Sequence, residues 1–345
     1  MDTPIRTHTA PDLCVEVNPG KPALLRVTER LRPEHAADWI TERRAELDEL
    51  VLRHGAVLVR GLGIPDAAAL QRVGERITTR AAPEREAFAR RRQLGADAVS
   101  SLEWPADQPM CMHHELSYAL EFPRTLVIGC FSAPERGGVT GVADAQQVLA
   151  ELPAPLVERF EREGWKLSRS YNNLLGLSWQ EAFGVADRTA AEQYCRANKI
   201  ITEWQPDGRL RTHQRRSAVI HHPVTGARCW FNQIGFLSEW NLDPAVREFM
   251  VGQFGPEGLP FTTAFGGGEP LDPETAAIIG EVYEAATLRE PWQSGDLFLI
   301  DNIRMAHSRE PFTGERELGL VFGDPVRLAD CAPAYPPPTA AADSR

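Results

Sequence analysis

Apolar and polar positions recur along this chain with two periods. Between 33 and 53, Ala37, Ile40, Ala45, Leu47, Leu50 and Val51 form a stripe at helical spacing, with Glu and Arg on the opposite face. A second helix is predicted over 67–77, with Asp66 as its N-cap. Further helices are predicted over 145–152, 156–163, 179–198, 244–254 and 273–288. Short apolar runs bounded by turn residues predict buried strands: Ala56-Val57-Leu58-Val59-Arg60, the run from Pro123 to Phe131, Leu297-Phe298-Leu299-Ile300 and a last strand over 316–322. Residues 218–222 and 228–232 flank a Pro223-Val224-Thr225-Gly226 turn and predict a hairpin. The segment 80–108 is dense in Arg, Glu and Ala and then aperiodic. It reads as a solvated helix, the competing reading being a mobile segment beside a site. Residues 1–22 read as a flexible arm and 329–345 as a disordered Pro/Ala-rich tail. Residues 23–328 show no repeat and no linker, which predicts one domain. Many short strands, with helices near the N-terminus and in insertions, predict a mainly β fold with helical cladding: a jelly-roll, cupin-like barrel, the double-stranded β-helix.

Composition narrows the function more than the fold. The 345 residues are 43% hydrophobic and 25% charged, as in ordinary globular chains. A net charge of -11, with no basic stretch to offset it, argues against nucleic acid as a partner. The six cysteines include no Cys-x-x-Cys pair, so they read as reduced, mostly buried thiols of a cytoplasmic protein. No apolar run approaches membrane-spanning length, and the first eleven residues hold no apolar core of a secretory signal.

The candidate chemistry centres on Met112-His113-His114-Glu115-Leu116-Ser117-Tyr118. If this stretch is an extended strand, His113 and Glu115 point to one face. His307, far downstream after a buried strand, would complete a face of two imidazoles and one carboxylate. That set suits iron(II) better than magnesium or calcium. Arg316, on the next strand, offers a planar fork for the far carboxylate of a dicarboxylate co-substrate, and Thr140 offers a hydroxyl. A zinc hydrolase and a catalytically inactive metal-binding barrel are the competing readings, and neither gives Arg316 a role.

Several stretches together resemble the taurine dioxygenase and clavaminate synthase-like superfamily of iron(II)- and 2-oxoglutarate-dependent dioxygenases. They are His113 to Tyr118, Glu135-Arg136-Gly137-Gly138-Val139-Thr140, His222-Pro223-Val224-Thr225-Gly226 with Trp230-Phe231-Asn232-Gln233, Trp292-Gln293-Ser294-Gly295-Asp296, and Asp301-Asn302 through His307 to Arg316. Within it, the chain is most similar to amino-acid hydroxylases of specialised metabolism, of the syringomycin-pathway type. The resemblance implies iron held by His113, Glu115 and His307, and 2-oxoglutarate held by Arg316 and Thr140, with Arg309 as the alternative cation. It implies O2 as oxidant and hydroxylation of an unactivated C–H of a free or carrier-tethered amino acid; desaturation, epoxidation and cyclisation stay open. A carrier protein and a second copy of the chain stay open as partners. Many relatives carry Asp where this chain has Glu115, and halogenating relatives carry a small residue there, so Glu115 favours oxygenation. The stretch from His307 to Arg316 is shorter than in sulfonate-oxidising relatives.

Neighbouring residues have plainer readings. His114 would point away from the ligands and reads as structural, as do His221 and His222. Asn232 stands open between a substrate contact and a turn. Tyr171-Asn172-Asn173 and Ser117 are the tentative substrate-side residues. Phe265-Gly266-Gly267-Gly268 lacks the Lys-Ser/Thr of a phosphate loop. Arg211, Arg215 and Arg216 read as a solvated face, or as a greeting for an acidic carrier or a substrate carboxylate. The substrate pocket is expected from parts of 80–108 and 171–214.

Overall fold

The computed structural model describes residues 5–10, 13–28, 31–171 and 176–335. Eight strands form the main sheet, in the spatial order Ile5–Ala10, Leu13–Val17, Ala23–Arg26, Ala56–Ile64, Gly295–Asp301, Glu121–Ser132, Glu317–Arg327 and Ala98–Ser100. Ala23–Arg26 runs parallel to Ala56–Ile64, and the other neighbours are antiparallel. The apolar runs seen in the sequence are its central strands, buried on both faces. Val57, Val59, Leu297 and Leu299 pack on the helices Ala36–Glu42, Arg44–His54 and Ala67–Ile77 through Ile40, Leu47, Leu50, Leu70 and Val73. The alternate residues Ala56, Leu58, Phe298 and Ile300 face the other way, onto Val142 and Met305. A period of two thus divides each strand between two cores.

Val142 and Met305 belong to a second, four-stranded sheet: Thr287–Leu288, Val142–Asp144, Met305–Arg309 and Met110–His113. The molecule is therefore a sheet-rich sandwich with helices on its outer face. A third sheet, Ile200–Trp204, Leu210–Arg216, Trp165–Tyr171 and Phe261–Phe265, flanks it.

Several expectations change. The helical stripe over 33–53 becomes two helices broken at Arg43, which leaves the helical region with φ of −112°. The predicted helix over 179–198 is likewise two, Trp179–Phe183 and Arg188–Ala197. Gly184 ends the first in the left-handed region, and Asp187 caps the second. The stretch expected to be a loose arm carries two strands of the main sheet, and Val15 is fully buried because apolar residues alternate there. Leu328 and Cys331 are buried where the tail was expected to begin, and Arg215 covers the ring of Tyr335. Arg216 is not on a solvated face. Its guanidinium is buried and donates to the carbonyls of Tyr118, Asn198 and Arg215. Arg211 pairs with Glu257, and Arg215 donates to Glu163 O. Leu210–Arg216 escaped detection because its buried face is Leu210, Thr212, Gln214 and Arg216, which is mostly polar. No α-helix forms over 80–108. The segment is irregular apart from Ala98–Ser100.

Candidate functional site

His113 closes the strand Met110–His113, and His307 lies in Met305–Arg309. The two strands are antiparallel neighbours whose register pairs His307 with His113. Strand pairing alone therefore joins residues far apart in sequence, with ring centroids 4.3 Å apart. Glu115 is not on the strand, which ends at His113. The chain turns there, and Leu116 takes a left-handed φ of 56°. The same-face argument thus fails at its premise, yet the carboxylate still converges. Its Oε1 lies 3.5 Å from His307 Nε2 and 4.0 Å from His113 Nε2.

Asn302 aims the turn. Glu115 N–H donates to Asn302 Oδ1 (2.8 Å), and Asn302 Nδ2 donates to Glu115 O (3.0 Å) and Pro123 O (2.8 Å). A primary amide can accept and donate at once in one plane, which is what this clamp uses. Nothing marks Asn302 in the sequence beyond its place after the buried strand 297–301. Ser117 serves the same turn, its hydroxyl donating to His114 O. His114 is buried between Asn302 O (2.6 Å) and Trp230 O (3.0 Å), a structural place. His222 is structural too: its Nδ1 accepts from the backbone N–H of Thr225, and its Nε2–H donates to Asp301 Oδ2 at 2.8 Å.

The candidate ligand atoms of His113, Glu115 and His307 all lie within 4.8 Å of one another, and all three residues are buried. His113 Nδ1 donates to Cys111 O (2.9 Å), which fixes the tautomer and leaves Nε2 as a buried lone pair without a hydrogen-bond partner among the described residues. Phe236 stacks on the ring at 4.6 Å. Burial, then the His307 ring, push the His113 pKa down to about 3, so the imidazole is neutral at neutral pH. Burial alone would raise the Glu115 pKa. The Arg91 guanidinium, with His307 and His113, outweighs it and holds the carboxyl well below the usual range. An orphaned imidazole nitrogen beside a second imidazole and a charged carboxylate is a donor set that fits iron(II).

Thr140, Arg316 and Arg309 line the same cavity as the three ligands. Arg316 Nε donates to Gly138 O (3.0 Å), and Nη2 to Thr140 Oγ1 (3.3 Å). Among the described residues no carboxylate pairs with it. Burial, then Arg309, push its pKa down to about 10, the mark of a cation held without a counterion. Gly138 has φ of 66°, and a Cβ there would meet Arg316 Cδ at 3.0 Å and Pro134 Cγ at 2.8 Å. That is a physical reason for glycine in the Gly137-Gly138 motif. Thr140 Oγ1 also accepts from Trp292 Nε1 (3.1 Å), so the hydroxyl proton is left to donate. Arg309 is turned away from such a role. Its two terminal nitrogens hold the carbonyls of Trp104, Pro105 and Gln108.

A larger cavity of about 720 Å³ lies beyond Phe236 and Cys111. Its wall includes the aromatic side chains of Phe88, Trp104, Tyr171, Phe236, Trp240 and Phe261, with Arg90 and Arg169. The segment 80–108 contributes, as expected, but 236–246 were not anticipated. Tyr171 lines this cavity. Asn232 does not: its amide donates to Ala218 O and accepts from Ile234 N–H. Asn173 falls outside the described residues.

Comparison with known proteins identifies relatives over most of the chain. The chain is 32% identical over 280 residues to the dapdiamide synthesis protein DdaC of Enterobacter agglomerans, covering 81% of this chain and 85% of that one. It is 27% identical to a clavaminate synthase-like protein of Arabidopsis thaliana, covering 81% and 84%. Among solved structures, PvcB from Pseudomonas aeruginosa superposes with a TM-score of 0.52 at 17% identity, covering 94% and 93%. A structure described as PvcB, an Fe, alpha-ketoglutarate dependent oxygenase from an isonitrile synthetic pathway, gives 0.54 at 17% identity, covering 94% and 97%. The model of the taurine catabolism dioxygenase TauD, TfdA family matches residues 16–321, and the chain belongs to that dioxygenase family.

Proposed function

We propose that this chain is an iron(II)- and 2-oxoglutarate-dependent dioxygenase that oxidises an unactivated C–H of an amino acid or aminoacyl group in natural-product biosynthesis. The observation that carries the reading is one cavity holding His113, Glu115 and His307 together with a half-buried Arg316 that no carboxylate pairs with among the described residues. The two sheets are then the double-stranded β-helix. When bound, iron with 2-oxoglutarate and O2 supplies the oxidising power that turns C–H into C–OH, with succinate and carbon dioxide released.

The chain's own residues do the rest. His113 and His307 offer imidazole nitrogens and Glu115 a carboxylate oxygen. Arg316 receives the distal carboxylate of 2-oxoglutarate bidentately, and the Thr140 hydroxyl donates to the same group. Trp292 keeps that hydroxyl turned toward it. Phe236 packs one face of His113 and also lines the aromatic cavity, which sets that cavity beside the ligands. The substrate fills that cavity, its apolar body against Phe88, Trp104, Tyr171 and Phe261. A zinc hydrolase would leave the cationic Arg316 without a task. Similarity to a dapdiamide synthesis protein supports an amino-acid-derived substrate. The six cysteines, all free thiols, support a cytoplasmic setting.

The test is anaerobic titration of metal-free protein with iron(II), then 2-oxoglutarate, watching for the weak visible charge-transfer band of the chelate. The band should appear in the native protein and vanish in His113→Ala. Iron binding without a band, and no succinate formed with any aminoacyl compound, would end the proposal.

A further inference from the structure

A guanidinium lies buried between the carboxylate of the candidate ligand Glu115 and the half-buried carboxylate of Glu84. Arg91 is 4% exposed along its side chain. Its Nη2 donates to Glu115 Oε1 at 2.7 Å, its Nε to Glu84 Oε1 at 3.1 Å and its Nη1 to Ser100 O at 3.3 Å. The guanidinium also stands 5.1 Å from the ring centroid of Phe322, on the main sheet. The acceptor on Glu115 is the same oxygen that faces His307 and His113. A carboxylate oxygen has two lone-pair directions, so one can take the guanidinium N–H while the other serves a metal.

We propose that Arg91 is a positioning residue that shares the metal-facing oxygen of Glu115, keeping this ligand a one-oxygen, weakened donor. This rests on the metal-binding reading of the triad. Three lines of geometry support it. The Arg91 contact is charge-assisted and, at 2.7 Å, much shorter than the 3.5 Å from His307 Nε2 to the same oxygen. Glu84 holds the other edge of the guanidinium, so Arg91 cannot swing away without leaving the buried Glu115 carboxylate facing the half-buried one of Glu84. The backbone around Arg91 is fixed as well. Arg92 N–H donates to Ser100 Oγ, and Ser100 N–H donates to Arg92 O. Nearby, Glu86 O accepts from Tyr118 and Arg169, and the Glu86 carboxylate accepts from Tyr194 and Gln214.

Arg91 takes electron density from the donor oxygen and sets a positive charge beside the metal position. Both weaken the hold on a cation while keeping Glu115 from closing over it with both oxygens. The arrangement also places Arg91 close in sequence to Phe88 and next to Arg90, which line the aromatic cavity.

The test uses Mn(II) and Co(II) as probes on metal-free full-length protein. Arg91→Met should bind Mn(II) at least fivefold more tightly than the native chain and shift the visible ligand-field absorption of the Co(II) form. Arg91→Lys, which restores the charge, should return Mn(II) affinity to within about twofold. Because Arg91→Met leaves Glu84 facing Glu115, the double variant Glu84→Gln/Arg91→Met removes both charges together. It should show the same tightening if the single variant fails to fold. An unchanged Co(II) spectrum, or Mn(II) binding that is equal or weaker in the folded variant, overturns the proposal. Failure of the native chain to bind either metal would instead sink the triad reading, so the two failures are distinguishable.

Discussion

Two regions meet at Glu115 and are built by different physics. On one side, the strands Met110–His113 and Met305–Arg309 place His113 against His307 through main-chain pairing, which fixes position and direction together. On the other side, the segment 80–108 has little regular structure and delivers Arg91 through side-chain hydrogen bonds to Glu84, Ser100 and Glu115. The ladder side tolerates the loss of a side chain, because backbone bonds hold the geometry. The irregular side depends on its side chains, so one substitution there can move several groups.

The largest expected effect comes from the ladder side. His307→Ala should abolish turnover and metal binding, a loss of at least about a thousandfold in kcat. Thermal unfolding should stay within a few degrees of the native protein, because the strand pairing survives. Turnover near the native level would remove His307 from the metal centre. A collapse of the fold would show instead that the side chain supports the ladder. Next in size is Arg316→Ala. Truncating one partner of a buried charge pair costs roughly 2–5 kcal/mol, so the 2-oxoglutarate KM should rise about a hundredfold. Arg309→Ala should leave that KM nearly unchanged, because its two terminal nitrogens are committed to the carbonyls of Trp104, Pro105 and Gln108. Equal effects from the two arginines would erase the distinction drawn between them.

Asn302→Ala tests the seam between the regions. It removes one acceptor and two donor bonds around Glu115 and Pro123 in a fully buried setting. Leaving buried backbone groups unpaired costs about 1–3 kcal/mol each. Iron(II) affinity should fall on the order of tenfold, as is usual when a ligand loses its orienting partner. Differential scanning calorimetry and metal titration on the same sample would show both changes. A normal affinity would mean that Arg91 alone positions Glu115.

The same contrast explains what the sequence made legible. The apolar runs over 56–59, 126–128 and 297–300 are buried on both faces, so they were visible as strands. Asp66 acts through a bond within one turn, which makes its cap local and readable. The identities of His113, Glu115, His307, Arg316 and Thr140 came from residue types in an ordered set. The route to Glu115 did not, since the turn at Leu116 and the Asn302 clamp depend on a tertiary contact. Arg91 was hidden for a related reason. In a stretch as charged as 84–92, nothing local separates a buried guanidinium from its exposed neighbour Arg90, which pairs with Glu181. Arg216 was misread on the same ground: a buried arginine whose partners are carbonyls looks solvated until the fold is known.

The smallest effect concerns acid. Burial holds the His113 ring neutral down to about pH 3, whereas in the unfolded chain it takes up a proton near pH 6.5. Between those values the unfolded state binds more protons than the folded one. The ring's contribution to stability is therefore fully present above pH 6.5 and is lost as pH falls toward 3. At pH 5.5 the loss amounts to about 1 kcal/mol relative to pH 7.5, or a few degrees in Tm for a chain of this size. Phe236 stacked on one face and Cys111 O taken by Nδ1 are the contacts that keep the ring there. His113→Gln, without a titrating ring, should flatten this part of the Tm-against-pH curve of the metal-free protein. The steeper fall below pH 4.5, where the depressed Glu115 carboxyl loses its advantage over the unfolded state, should remain. A native curve as flat as the variant's would mean that the ring is charged in the folded protein. The lone pair facing Glu115 and His307 would then be occupied by a proton, and the ladder side of the site would not be ready for a metal.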